Sequence, residues 1–452
     1  MATETLERAD VQGLVLRGYG QLRGARYLLC QIADGAAARG WLADLSVAAG
    51  GPATGDVAVN VAFTASGLAR LGVSATALAQ FSRELLDGMT TEHRRRILGD
   101  VDGSAPERWS WGAPAGERID MLALVFGRDD AAAAAVPAVQ ERALAAGGIR
   151  LVHTLETVPL EDREHFGFRD GISQPRFPRL GEASGIPERD VVATGELVLG
   201  YRNAYGRYTP RPVLAPAEDP GGVLPADPEG SGGRDLGRNG TYLVLRQLAQ
   251  DVEGFWEFCR RADPADPLRL AARMIGRWPS GTPLVLEPDA DRTVRDLNDF
   301  AYHAADPHGV RCPIGAHVRR ANPRDTLDPA PGTSRSVDVN KRHRLLRRGR
   351  KYGTAPGERG LHFICLVANI ARQFEFVQHS WLNDPRFNGL YDQPDPLVAP
   401  TPPNGRTFSV ATSSVRERHT GVPRFVSVRG GAYFFLPGIR ALRYLAARGG
   451  AP

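Results

Sequence analysis

RYLLCQIADGAAARGWLADL (residues 26–45), TYLVLRQLAQDVEGFWEFCRRA (241–262) and LHFICLVANIARQFEFVQHSW (361–381) share one plan: an aromatic-aliphatic strand, a short polar joint, and a helix with an aromatic near its middle. A strand and helix so joined each bury one face, so recurrence of the unit points to a duplicated α+β core. Outward from the first copy, residues 56–64 alternate Val57, Val59, Val61 and Phe63 with smaller or polar partners, the period of a half-buried strand. Helical stretches at 66–71 and 75–86, an apolar run at 121–126, an alanine-rich helix at 130–144 and a strand at 149–156 complete a split β-α-β arrangement of the ferredoxin-like type. Residues 182–238 turn rich in Gly, Pro and Asp and read as a long surface connection. Beyond them the pattern returns, with late strands at 425–428 and 432–436 across Gly430-Gly431 and a closing helix at 439–447. The expected organisation is a first ferredoxin-like unit over 1–180, a connecting insertion over 181–238 and a second unit over 239–452, with antiparallel sheets inside and helices outside.

At 452 residues the chain exceeds a typical single core. With 42% apolar and 24% charged residues it has the composition of a soluble globular protein, and a net charge of +5 is too mild to make nucleic acid the default partner. Cys30, Cys259, Cys312 and Cys365 lie far apart and form no CxxC pair. That argues against a disulfide framework or zinc ribbon and fits a reducing compartment. The N-terminal MATETLERADVQG carries neither a basic region nor an apolar run, so the expectation is a cytoplasmic protein. No stretch of about 18 apolar residues suggests a membrane span.

Three loop-like stretches carry the chemistry. RCPIGAHVRRANPR (311–324) sets His317 among cations and between turn residues, GFRDG (167–171) holds Asp170 between two glycines, and RHRLLRRGRKYG (342–353) carries Arg347. Taken singly, each has a plainer reading. An Asp-Gly pair is commonly a turn whose carboxylate serves its own backbone, and a basic run such as 341–351 is commonly a solvated or anion-binding face. His308, Cys312 and His317 also read as a small metal site, though no second Cys/His pair supports it.

In order along the chain, GFRDG, AHVRRANPR (316–324), LLRRGRKYG (345–353) and GLHFICLVANIARQFEFVQHSW (360–381) resemble the dye-decolorising peroxidases, and the likeness extends from about residue 56 to 447, as in one of that family's longer bacterial branches. The resemblance implies two ferredoxin-like units of the dimeric α+β barrel type and a haem b (iron protoporphyrin IX) in the second. It implies His317 as the iron's axial ligand, with His303 and His308 as its rivals in sequence. It makes Asp170 the acid-base group facing peroxide, Arg347 the arginine beside it, with Arg348 adjacent, and Arg324 the partner of a haem propionate. Leu361 and Phe363, alternating on a strand, become an apolar roof whose plain reading is core. Ferric haem needs a donor strengthened by an acid behind it, and Glu375, Asp384, Asp392 and Asp395 all qualify as that acid.

The activity so implied is reduction of hydrogen peroxide with one-electron oxidation of dyes, phenols or Mn(II). Trp256, Trp381 and Tyr391 are candidates to carry electrons from bulky reductants. The reading has small aromatic reductants as partners, no nucleic acid and no membrane, and a monomer or homo-oligomer. A haem carrier or iron-handling protein on the same fold is the main rival, and a basic nucleic-acid scaffold using 341–351 is a further one.

Overall fold

A computed structural model of the chain describes residues 5–51, 55–128, 142, 145, 147–178, 188–412 and 414–448. The apolar runs of the sequence become strands. The first four are β1 (Gly24–Ile32), β2 (Val57–Phe63), β3 (Met121–Gly127) and β4 (Ile149–Glu156), paired antiparallel in the order β4-β1-β3-β2. A short hairpin, β5 (Val213–Leu214) and β6 (Arg234–Asp235), lies in the connecting segment. The second half contributes β7 (Thr241–Gln250), β8 (Leu346–Arg347), β9 (Arg350–Tyr352) and β10 (Gly360–Val367), the hairpin β11 (Arg406–Ala411) and β12 (Arg416–Val422), and β13 (Val426–Leu436). Their order, β13-β7-β10-β8, repeats the 4-1-3-2 order of the first half, and β9 continues the edge begun by β8. The edge breaks at Gly349, where a Cβ would lie 2.7 Å from the His362 carbonyl.

The two sheets join where Phe63 of β2 pairs Phe435 of β13. One core lies between them: Tyr27, Leu122 and Phe126 of the first sheet with Leu245, Ile364 and Phe434 of the second. A second core fills the outer faces beneath the helices, with Trp41, Leu42, Leu68 and Leu442 against Val61, Val125, Val244 and Cys365. Burial on both faces explains why the strands read as continuous apolar runs. This is the expected duplicated α+β architecture with sheets inside and helices outside. Helix Gly35–Asp44, capped by the Asp34 carboxylate, packs on the closing helix Ile439–Ala447. Helices Val252–Ala262 and Pro267–Ile275 bury Phe255, Phe258, Leu270 and Met274 in a third cluster on the second half.

Local expectations fare unevenly. Of the helix expected at 130–144 only residue 142 is described, and the boundary at 180 falls outside the described residues. The two late strands are one, β13, with a bulge between Val428 and Gly430. The Gly-Gly pair is needed for close approach, because a Cβ on Gly430 would lie 2.4 Å from the Trp111 indole. The connecting segment is more than a surface excursion: Leu197, Val198, Leu199 and Tyr201 are fully buried, and Arg211 bonds Asp227 and Asp235 beneath the surface. Among the described residues no helix is long and apolar enough to cross a membrane.

Candidate active site

On the outer face of the second sheet lies a cavity of about 290 Å³. Arg246, Leu248 and Gln250 of β7, Leu361 and Phe363 of β10 and Val426 and Val428 of β13 form its sheet wall. His317, Val318 and Ala321 with Phe374, Val377 and Leu382 are among the residues on its helical wall.

His317 is the first residue of the short helix His317–Ala321. The cations that follow it act as internal staples. Arg319 donates to the Asp306 carboxylate at 3.0 Å and the Cys312 carbonyl at 2.7 Å, and Arg320 donates to the carbonyls of Trp381 and Asp384 at 2.5 and 3.1 Å. Both guanidinium groups are fully buried, so the turn that presents His317 is held from behind. Nδ1 of His317 lies 2.9 Å from Asp395 Oδ2, and the other oxygen of Asp395 accepts from the Leu397 and Val398 amides at 2.9 Å each. Burial works against charge on both partners, but the pair outweighs it, leaving the His317 pKa raised and the Asp395 pKa lowered. The shared proton sits at Nδ1, and Nε2 is left as the lone-pair donor of a side chain that keeps 28% of its surface open on the cavity wall.

The GFRDG loop forms another part of the wall. Gly167 and Gly171 take φ of +99° and +77°, conformations that suit glycine, and Phe166 anchors the loop on Phe255 at 4.7 Å between ring centroids. Asp170 Oδ1 stands 3.4 Å from Arg347 Nη1, and both residues line the cavity. Adjacent residues on a strand face opposite ways. Arg348 accordingly bonds the Leu14 and Val15 carbonyls on the other side of β8. Arg347 is fixed through its backbone, its N–H donating to Gln174 Oε1 at 3.0 Å.

Among the other arginines lining the cavity, Arg277, Arg324 and Arg344 are buried. Arg324 has φ +58°, lies 3.7 Å from the Phe300 ring centroid and donates to the Asn298 and Phe300 carbonyls at 3.0 Å. Arg277 donates to the Gly281 and Leu297 carbonyls, and of the three only Arg344 meets an acid among the described residues, Asp190 at 3.2 Å. Burial pulls the Arg324 pKa down to about 9 and lowers those of Arg277 and Arg344, as expected of buried cations short of anions.

These residues fit a haem: an imidazole donor backed by a carboxylate, apolar walls for the macrocycle, and buried cations in excess for its carboxylates. His303 and His308 do not line the cavity, and His308 is exposed. Among the described residues no group of three or more His, Cys, Asp or Glu could hold a metal ion, so the His308–Cys312–His317 alternative finds no support.

No protein-family model matches the chain. It is 29% identical over 430 residues to the multifunctional dye peroxidase DyP2 of Amycolatopsis sp., covering 87% of this chain and 83% of that one. To the dye-decolorizing peroxidase of Mycena epipterygia it is 29% identical over 339 residues, 64% of this chain and 58% of the relative's length. A solved dye-decolorizing peroxidase in complex with 2,6-dimethoxyphenol superposes with a TM-score of 0.79 at 25% identity, covering 98% of this chain and all of that one. The chain is a peroxidase with the fold of these dye-decolorising enzymes.

In this peroxidase the cavity brings together His317, Asp170, Arg347, Arg324, Leu361 and Phe363. Sequence reasoning missed Arg277, Arg344, Glu164 and the buried pair Arg246–Asp100, all lining the same cavity. Arg344 was visible only as one member of a basic run, and Arg277 carried no signal. Of the aromatics considered for electron transfer, Trp381 is buried, Tyr391 is 77% exposed, and Trp256 stacks on the cavity residue Phe168 at 6.4 Å.

Proposed function

We propose that this peroxidase holds haem b through His317 and uses hydrogen peroxide to oxidise phenols and dyes. The observation that carries the reading is one apolar cavity with an acid-backed imidazole on its wall and a carboxylate–guanidinium pair 3.4 Å apart also lining it. Haem, when bound, would supply the redox-active iron that exchanges electrons with peroxide and reductant. The chain's own groups do the rest. His317 donates through Nε2 while Asp395 holds the proton at Nδ1, which strengthens the donor. Asp170 takes a proton from one peroxide oxygen and returns it to the departing one, and Arg347 stabilises the negative charge that develops there. Buried Arg324, Arg277 and Arg344 would bind the haem carboxylates. Two one-electron reductants and two protons complete the conversion of peroxide to two waters.

The solved relative bound to 2,6-dimethoxyphenol supports phenols as reductants. The cytoplasm is the location we propose, supported by four cysteines that are all buried free thiols. Reconstitution with haem tests the reading. A Soret band should form, vanish in His317→Ala and survive in His303→Ala and His308→Ala. Mixing with peroxide should then bleach a dye or oxidise a phenol. Retention of haem with loss of peroxide reactivity in Asp170→Asn or Arg347→Leu separates a peroxidase from a carrier. Unchanged reactivity in both variants sinks the proposal.

A further inference from the structure

The Glu164 carboxylate lies on the cavity wall and takes three hydrogen bonds, from the Phe166 amide at 2.8 Å, the Phe168 amide at 3.0 Å and Gln250 Nε2 at 2.8 Å. All three donors are neutral, an unusual setting for a half-buried acid on a cavity wall. Resting on the reading of Asp170 as the peroxide-facing acid, we propose that Glu164 is the positioning residue that fixes Asp170 against Arg347.

The backbone alone closes residues 162–170 into a narrow hairpin. Glu164 N–H bonds the Phe168 carbonyl at 2.9 Å, Asp170 N–H bonds the Asp162 carbonyl at 3.0 Å, and Arg163 bridges Arg169. What those bonds leave open is where the hairpin sits relative to the sheet. Phe166 on Phe255 and the Arg169 amide on the Pro279 carbonyl at 3.2 Å hold the hairpin from outside the sheet, and two side-chain tethers tie it to the sheet itself. Upstream of Asp170, Glu164 is bound to Gln250, the last residue of β7, on the same strand face as Arg246 and Leu248. Downstream, Gln174 Oε1 accepts from the Arg347 amide at 3.0 Å. Asp170 is strung between them, so the 3.4 Å approach of its carboxylate to Arg347 depends on both.

The residue type is also explained. Both oxygens of Glu164 accept, one from Phe168 and the other from Phe166 and Gln250. Glutamine would turn one of them into a donor facing a donor. Burial pushes the Glu164 pKa up, and the nearby Asp170 charge pushes the same way, so the fold tolerates a strained acid here. Its geometric service to the loop is the compensation.

The test uses the haem-loaded protein and two readouts: the second-order rate constant with peroxide, and cyanide affinity followed by the Soret shift, which needs no turnover. Glu164→Gln should lower both about tenfold, part of the 10²–10⁴ that a placed acid-base group contributes. Haem content and the rate of the phenol-oxidising step should stay within about twofold, since neither involves Asp170. In an Asp170→Asn background, Glu164→Gln should cost nothing further, because a residue acting through another loses its effect when that one is gone. Gln250→Leu, which cuts the tether and leaves the hairpin tip capped, should reproduce the effect and serves if Glu164→Gln takes up no haem. Unchanged peroxide and cyanide reactivity in these variants, or equal losses with and without Asp170, overturns the inference. If Asp170→Asn is itself silent, the reading of Asp170 falls, and this proposal with it.

Discussion

Nδ1 of His317 meets a carboxylate that two backbone amides already hold in place, so the imidazole cannot turn without breaking its bond to a partner that cannot follow it. Asp395→Asn keeps the shape but offers Nδ1 an amide, weakening the donor. Removing such an outer partner lowers metal-ligand affinity by about 10–100-fold. The expected result is a haem affinity weaker by that factor, read by titration against a competing haem-binding protein, with the Soret band retained. Nothing in the sequence separated Asp395 from Glu375, Asp384 and Asp392, because a partner 78 residues away leaves no spacing signal. The structure gives Glu375 to Arg94 and Tyr433 instead. At β8 the strand's alternation makes the contrast testable. Arg347→Leu should cut the peroxide rate by about 10²–10³, the usual loss when a donor to developing charge is removed, with stability little changed. Arg348→Leu should leave the peroxide rate near wild type and lower the denaturation midpoint, since its bonds go to the Leu14 and Val15 carbonyls.

At the scale of elements, β13 shows how a local rule is overridden by packing. A Gly-Gly pair between apolar runs reads as a turn, yet the strand runs through it because Trp111 lies against Gly430 and donates to Gln247 of β7 at 2.7 Å. Gly430→Ala drives a methyl group into the indole, and overpacking of this kind costs about 1–3 kcal/mol. The expected outcome is that loss in chemical denaturation, with haem still bound. The strands and most helices were legible because burial on both sheet faces leaves apolar runs bounded by turn residues. The connecting segment was not, since Leu197–Tyr201 is too short to show a period among the Gly- and Pro-rich turns around it. The site was legible where one short motif carries one function, as in AHVRRANPR. It was illegible where the function is assembled across elements, as with Arg277 and Arg344, or with Glu164 and Gln250, which lie 86 residues apart.

Across the whole molecule, the two sheets face one another, and their shared interior contains an imidazole whose charge neither half can solvate. His362 of β10 is 1% exposed, stacks on Tyr352 at 4.5 Å, and reaches across to the Glu156 carbonyl of β4 at 2.9 Å. Burial is the main cause that pulls its pKa down to about 4, from an ordinary 6.5. Between those values the unfolded chain binds a proton that the folded chain refuses. Stability from this group is therefore whole above about pH 6.5, falls as the pH drops towards 4, and levels off below that. A shift of this size corresponds to about 3 kcal/mol at the bottom of the window. The loss should appear as a single transition involving both halves, because the ring bridges them and the sheets are continuous through Phe63 and Phe435. His362→Gln keeps a donor for the Glu156 carbonyl but does not titrate. Thermal melts of the two proteins from pH 7 to pH 4 should show the wild type losing midpoint more steeply, the gap opening below about pH 6.5. Parallel curves would mean that the interior admits the imidazolium, and that the interface between the sheets is wetter than its packing indicates.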